Sequence, residues 1–154
     1  VSVTYWDIGL SGANRPDDPH WVYFPERDLP FYRAGSTSAA VPSAAPAGCR
    51  SLYVEVSHPR GKVCGVTDAH VLAGLRRVGL VGERQEPLFA ERSTLDCAYV
   101  IMDHAYGAAR ATLLDWLARE HILSVGRYGA WTYDSMEGAM IQGRDAAARV
   151  RDMT

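Results

Sequence analysis

A basic surplus is the first thing this sequence lacks. Sixteen Lys and Arg stand against eighteen Asp and Glu, for a formal net charge of −2 over 154 residues. No Lys/Arg cluster is interleaved with aromatics, so nucleic-acid binding is set aside. No apolar run approaches the roughly 18 residues that a membrane span needs, and the amino end has no basic segment leading into a long apolar one, the mark of a signal peptide. The three cysteines, Cys49, Cys64 and Cys97, are widely spaced and odd in number. That excludes a disulfide framework and fits buried thiols in a cytoplasmic protein. The five histidines, His20, His58, His70, His104 and His121, never pair at helical or strand spacing, and there is no Cys-x-x-Cys, so no metal site is read. A nucleophile elbow, a Walker loop, an internal repeat and a low-complexity tract are missing too. No catalytic residue can be assigned.

What remains is ordinary globular material, 47% apolar and 22% charged, about one domain long. Val1 to Asp7 alternates, with Val1, Val3 and Tyr5 predicted on one half-buried face. Gly9 to Pro19 is dense in turn formers and is read as a loop. His20–Phe24 and Phe31–Ala34 read as a hairpin across a short polar turn. Residues 35–48 form the least structured segment, a linker or, as is commoner for a loop of this length inside a domain, a cover over a site. Ser51–Val56 is the clearest strand, with Leu52, Val54 and Val56 on one face and Tyr53 and Glu55 on the other. A helix is predicted from the caps Thr67-Asp68 to a left-handed Gly79, then a buried strand over Leu95–Met102, flanked by Asp96 and Asp103 as end caps, and a second helix over Ala108–Glu120. Strands first and helices later favour an α+β fold, a mainly antiparallel sheet with helices on one side.

The stretch from Ile122 carries the most chemistry. Ile122-Leu123-Ser124-Val125 suits a strand covered on both faces. It feeds a Gly126-Arg127 turn, an aromatic loop with Tyr128, Trp131 and Tyr133, and a helix opening at Asp134-Ser135-Met136-Glu137. The helix face predicted inward, Met136, Ala139, Met140, Gly143, Ala147 and Val150, is unusually small. A strand that hands its loop to a helix amino end offers backbone N–H groups to an anion or a carbonyl oxygen. The Arg127 fork suits phosphate. On physics alone, an Arg paired with Asp134 or Glu137 beside core aromatics is an equal reading.

Gly126-Arg-Tyr-Gly-Ala-Trp-Thr-Tyr-Asp-Ser-Met-Glu-Gly-Ala-Met-Ile-Gln-Gly-Arg-Asp-Ala-Ala147 resembles the carboxyl-terminal flavin motif of the UDP-galactopyranose mutase, protoporphyrinogen oxidase and amine oxidase superfamily. His20–Arg33 and Ser51–Val56 look like the substrate domain of its mutase-like branch. The resemblance implies FAD as cofactor, with Gly126, Arg127, Trp131, Ser135 and Met136 on the cofactor side and Arg33 and Tyr133 toward a small-molecule substrate. It also implies a substrate domain over residues 1–120 and the last strand and helix of an FAD domain over 121–154. One departure is Ser135, where typical mutases have an acidic residue. Another is the lack of any Gly-x-Gly-x-x-Gly loop for a Rossmann-type FAD domain. With the mid-strand start at Val1, this reads as a carboxyl-terminal piece whose partner is the amino-terminal FAD domain of the same parent chain.

Three functions follow. The first is a fragment of an FAD-dependent oxidoreductase of the amine oxidase or protoporphyrinogen oxidase kind, forming a substrate-pocket wall and one flavin edge, inactive and weak in flavin binding by itself. The second is a UDP-sugar mutase using reduced flavin. The third is a stand-alone, non-catalytic module. In that module the small-faced helix and the Arg127 loop are plain packing, whereas in a fragment without its FAD domain the small face is expected to be exposed, or to cover a second copy in a homodimer.

Overall fold

The computed structural model describes residues 1–152. Met153 and Thr154, the last two residues assigned to the FAD-domain segment, lie outside the described residues. The chain divides into two compact units, 1–98 and 99–154.

The first unit is a five-stranded antiparallel sheet in the order β2-β3-β4-β1-β5, from β1 (Ser2–Ser11), β2 (Val22–Tyr23), β3 (Arg33–Gly35), β4 (Cys49–His58) and β5 (Pro87–Leu95). Its centre is the β1–β4 pair, where Thr4 faces Val56, Trp6 faces Val54, Ile8 faces Leu52 and Leu10 faces Arg50. Directly opposed residues share a face, so the Leu52–Val54–Val56 face read from the sequence is joined by Trp6, Ile8 and Leu10. Helix α2 (Asp68–Arg77) adds Val71 and Leu75 to the same core. Trp6, Leu10, Val54 and Leu75 are fully buried there. The Trp6 indole N–H donates to Asp68 Oδ1 at 2.7 Å.

Val1, Val3 and Tyr5 share the other face of β1, with Val3 buried and Val1 and Tyr5 half-buried, while the even-numbered face meets the α2 core, because β1 is an interior strand and both its faces are in use. It also runs to Ser11, so the loop predicted from Gly9 starts later. Gly9 serves as a strand residue: a Cβ there would lie 2.2 Å from the Phe89 ring of β5. Residues 35–48 are not featureless either. Ser36 caps the short helix α1 (Thr37–Ala40), and a 3-10 turn covers Pro42–Ala44.

Helix α2 opens on a reciprocal capping box. The Thr67 Oγ1 accepts from the His70 N–H at 3.3 Å, and the His70 Nδ1 accepts from the Thr67 N–H at 3.3 Å. It closes on Gly79 at φ 76°, with the Leu80 N–H returned to the Leu75 carbonyl at 2.9 Å.

The second unit holds α3 (Tyr106–Arg119), α4 (Gly126–Gly129) and α5 (Met136–Asp152). Two predicted strands are absent from it and its approach. The strand expected over Leu95–Met102 is irregular past Leu95 and turns at Cys97, φ 55°. Residues 122–125 pair with no strand among the described residues, although Val125 is extended at φ −135°, ψ 166°. Asp96 accepts from the Ser2 hydroxyl, while Asp103 Oδ1 accepts the N–H groups of Ala105 and Tyr106 at the start of α3. Met136, Met140, Gly143, Ala147 and Val150 of α5 are exposed, and Ala139 is half-buried. That face is therefore not an inner one within this chain.

Candidate functional site

Two groups of residues collect the chemistry, one in each unit.

In the second unit, α3 ends with His121 in the left-handed region at φ 60° and the Ile122 N–H returned to the Leu117 carbonyl at 2.8 Å. The chain is extended at Val125 and turns at Gly126, whose φ of 82° favours glycine. The Gly126 N–H donates to Gln142 Oε1 of α5 at 2.9 Å, so it is spent on fixing the turn. One helical turn later the chain repeats the α3 ending. The Thr132 N–H donates to the Arg127 carbonyl at 3.0 Å, with Trp131 at φ 46°. For an aromatic residue that backbone conformation stores about 1–3 kcal/mol. The Trp131 carbonyl accepts from the Tyr106 hydroxyl at 2.8 Å, and its ring lies 6.1 Å from that of Tyr128. Trp131, Tyr128 and Tyr106 line an apolar cavity of about 560 Å³ with Leu113 and Trp116 of α3.

This tight loop puts the Arg127 guanidinium against two rings. Its Cζ lies 5.0 Å from the centroid of Tyr133 and 5.3 Å from that of Tyr99. Among the described residues it has no hydrogen-bond or ion-pair partner. The pairing with Asp134 or Glu137 that was an equal reading of the sequence is not formed. Asp134 instead accepts from the Ser135 N–H at 2.8 Å and from the Gln142 amide. The Ser135 hydroxyl caps α5 by accepting from the Gly138 N–H at 3.1 Å. Gly138 makes room for this carboxylate: a Cβ there would fall 1.8 Å from Asp134 Oδ1, which would have to move. Met136 is exposed, and it and Glu137 have first-turn N–H groups without an intrahelical acceptor. The structure thus brings Arg127 and Tyr133 together beside the amino end of α5, gives Gly126 and Ser135 internal duties, and turns Trp131 to the apolar cavity. Tyr99 was missed. It sits in a segment that reads as a strand, and nothing in that reading signals its contact with Arg127.

In the first unit, Arg33 of β3 faces Glu55 of β4 and forms an ion pair with it. Tyr32 donates its hydroxyl to the other Glu55 oxygen, and Tyr23 accepts from Arg33 at 3.1 Å. The Arg33 Cζ also lies 5.6 Å from the Tyr23 ring and 5.9 Å from the Tyr53 ring. The same face continues through Tyr5 and Asp7 of β1 to Glu91 and Ser93 of β5. Burial, and then the charge of Glu91 directly across, push the Asp7 carboxyl above its usual range. Sequence reasoning found Arg33 and the Tyr53/Glu55 alternation. It missed Tyr32, Asp7 and Glu91, because strand order assembles them and no local spacing does.

No group of His, Cys, Asp and Glu able to hold a metal is present among the described residues. No described helix is long and apolar enough to cross a membrane.

No protein-family profile and no curated sequence matches the chain. Among solved structures, one of a reduced UDP-galactopyranose mutase superposes with a TM-score of 0.84 at 25% identity, over 99% of this chain and 34% of that one. The chain therefore spans about a third of that protein's length. With an antiparallel sheet, an Arg-Tyr loop and a capped helix in this order, the chain is similar in fold to the matching third of a UDP-galactopyranose mutase.

Proposed function

We propose that this chain is the substrate-facing part of a mutase-like flavoenzyme, with residues 1–120 contributing a pocket wall and 121–154 one edge of an FAD site. The observation that carries this reading is the superposition on a UDP-galactopyranose mutase over 99% of the chain. It favours the mutase alternative over the amine oxidase-like one that the sequence put first. The departure at Ser135 loses its weight as well. The side chain caps α5 through its oxygen, a task that Asp and Ser perform about equally well.

The donor set fits part of a flavin site. An Arg127 guanidinium without an acceptor and the unpaired N–H groups at the start of α5 suit an anion or a ring carbonyl. The cradle for a cofactor pyrophosphate does not fit here, since no Gly-x-Gly-x-x-Gly loop exists in these residues. That part belongs to the proposed amino-terminal FAD domain. A reduced flavin, when bound, would supply the nucleophile for the sugar anomeric carbon, and the protein would supply orientation and charge. Arg127 binds negative charge at the flavin edge or on the substrate diphosphate, and Tyr133 lies against the substrate. Arg33, already balanced by Glu55, presents Tyr23 and Tyr53 on a fixed face instead of offering free charge.

The test is UDP binding by the complete gene product, followed by intrinsic Trp and Tyr fluorescence. Arg127→Ala is expected to weaken binding about tenfold or more, as loss of a charge-assisted contact does. Equal affinity in the variant would remove Arg127 from the site. An amine or porphyrinogen that reduces the bound flavin, with no effect of UDP, would restore the oxidoreductase reading.

A further inference from the structure

Tyr106 and Arg110 stand one helical turn apart on α3, so their side chains share a face. Each bonds to a carbonyl of the loop that follows α4. The Tyr106 hydroxyl donates to Trp131 at 2.8 Å, and the Arg110 Nε–H donates to Ala130 at 2.6 Å. These two bonds hang the loop on the helix while Trp131 sits at its left-handed φ of 46°. Backbone strain of this kind, held by outside contacts, clusters at ligand sites. The wall continues along α3 through Leu113, Trp116 and Leu117, and with Tyr128 and Trp131 it bounds the cavity of about 560 Å³. Clefts for organic ligands run from about 300 to 1,000 Å³. Leu113 and Trp116 are 62% and 52% exposed, so the described chain leaves this apolar wall uncovered.

Arg110 gives the cavity its polarity. The residue is half-buried. Its Nε–H is spent on Ala130, while its two Nη groups have no hydrogen-bond or ion-pair partner among the described residues. The edge between them carries two parallel N–H groups, which matches a carboxylate. Asp103, the carboxylate in the lining, is engaged elsewhere. Its Oδ1 accepts the N–H groups of Ala105 and Tyr106 at 3.0 and 2.9 Å, and it forms no ion pair with Arg110.

We propose that this cavity binds an organic acid with a flat apolar body, an aromatic carboxylate. The rings and leucines take the body, and the Nη edge of Arg110 takes the carboxylate. A purely apolar occupant would cut that fork off from water without an acceptor, so charge complementarity selects an acid. Arg127 does not line this cavity, and the inference does not rest on the flavin reading.

The experiment uses the 154-residue chain, with 2-naphthoate as the probe and uncharged 2-naphthamide beside it. Tryptophan fluorescence and ligand-detected NMR follow binding. The acid is expected to bind about tenfold tighter than the amide, as a charge-assisted pair allows. Arg110→Gln should weaken 2-naphthoate about tenfold and leave 2-naphthamide within about twofold. Trp116→Ala, at an exposed ring, should weaken both about three- to tenfold. If Arg110→Gln frees the loop and lowers helicity, the acid-to-amide ratio of the wild type and Trp116→Ala still decide the matter. Equal affinity for acid and amide would overturn the proposal, and so would the absence of 2-naphthoate binding at millimolar concentration. A chain that forms dimers which Trp116→Ala dissociates would also overturn it, because a second copy then fills the cavity. Binding that is present in this chain and lost in the complete gene product would do the same, since the rest of the parent protein then covers the cavity.

Discussion

Asp18 and Arg50 show what a single buried contact controls. Arg50 is 3% exposed. It donates to both Asp18 oxygens at 3.0 and 3.1 Å and to the Leu80 carbonyl at 2.8 Å, while Arg15 closes on the same carboxylate. Burial raises the Asp18 carboxyl, but the Arg15 hydrogen bonds and the charges of Arg50 and Arg15 outweigh it and hold the carboxyl below its ordinary 3.8. A lowered carboxyl gives stability that is present above 3.8 and lost as pH falls through the folded value. Arg50→Met should cost about 1–3 kcal/mol in urea unfolding at neutral pH, since it leaves the Leu80 carbonyl without this donor and Asp18 with Arg15 alone. Asp7 runs the other way. Its raised carboxyl adds stability below 3.8 that is lost as pH rises through the folded value. Asp7→Asn should therefore raise the melting temperature at pH 7 relative to wild type, with the gain shrinking toward pH 3. A neutral-pH melting temperature equal to or below wild type would contradict the Asp7–Glu91 repulsion. At this scale the sequence shows the right residue types but not their partners. Arg33, Asp7 and Arg50 each acquire meaning from a residue more than 20 positions away.

Elements were legible where local rules and burial agree. Strand β4 alternates cleanly because one face meets the core, and α2 shows both caps in its sequence. Strand β5 was unreadable. It is an edge strand whose residues are mostly exposed on both faces, so Pro-Leu-Phe-Ala-Glu-Arg-Ser-Thr-Leu carries no period of two. Residues 122–125 have the composition of a covered strand, with Val125 extended, yet no sheet partner among the described residues, which is what the proposed FAD domain would provide. The helix ends give a paired test. Gly79 and His121 hold the same left-handed position after α2 and α3, at φ 76° and 60°. Gly79→Ala should destabilise by about 1 kcal/mol, and His121→Gly should stabilise by up to about 1 kcal/mol. Denaturant unfolding of the two variants checks both signs. A loss of stability in His121→Gly would show that the imidazole makes a compensating contact.

For the whole molecule, α+β architecture and the likeness to a mutase were legible, because the motif around Arg127 and the alternation of Ser51–Val56 survive in 154 residues. The compact units divide between Ala98 and Tyr99, whereas the proposed division of function falls after residue 120. Helix α3 thus lies in the same compact unit as the Arg127 loop, and with Trp131 it lines one cavity. The face of α5 with Met136 and Met140, and the unpaired extended segment before Gly126, are the surfaces the account assigns to the rest of the parent protein. The central claim, that these residues complete a flavin site made largely elsewhere, is tested most directly by the visible absorption spectrum of the complete gene product. The account predicts an oxidised flavin spectrum that dithionite bleaches, with conversion of UDP-galactopyranose in the reduced state. A purified protein that stays colourless after reconstitution with FAD would contradict it.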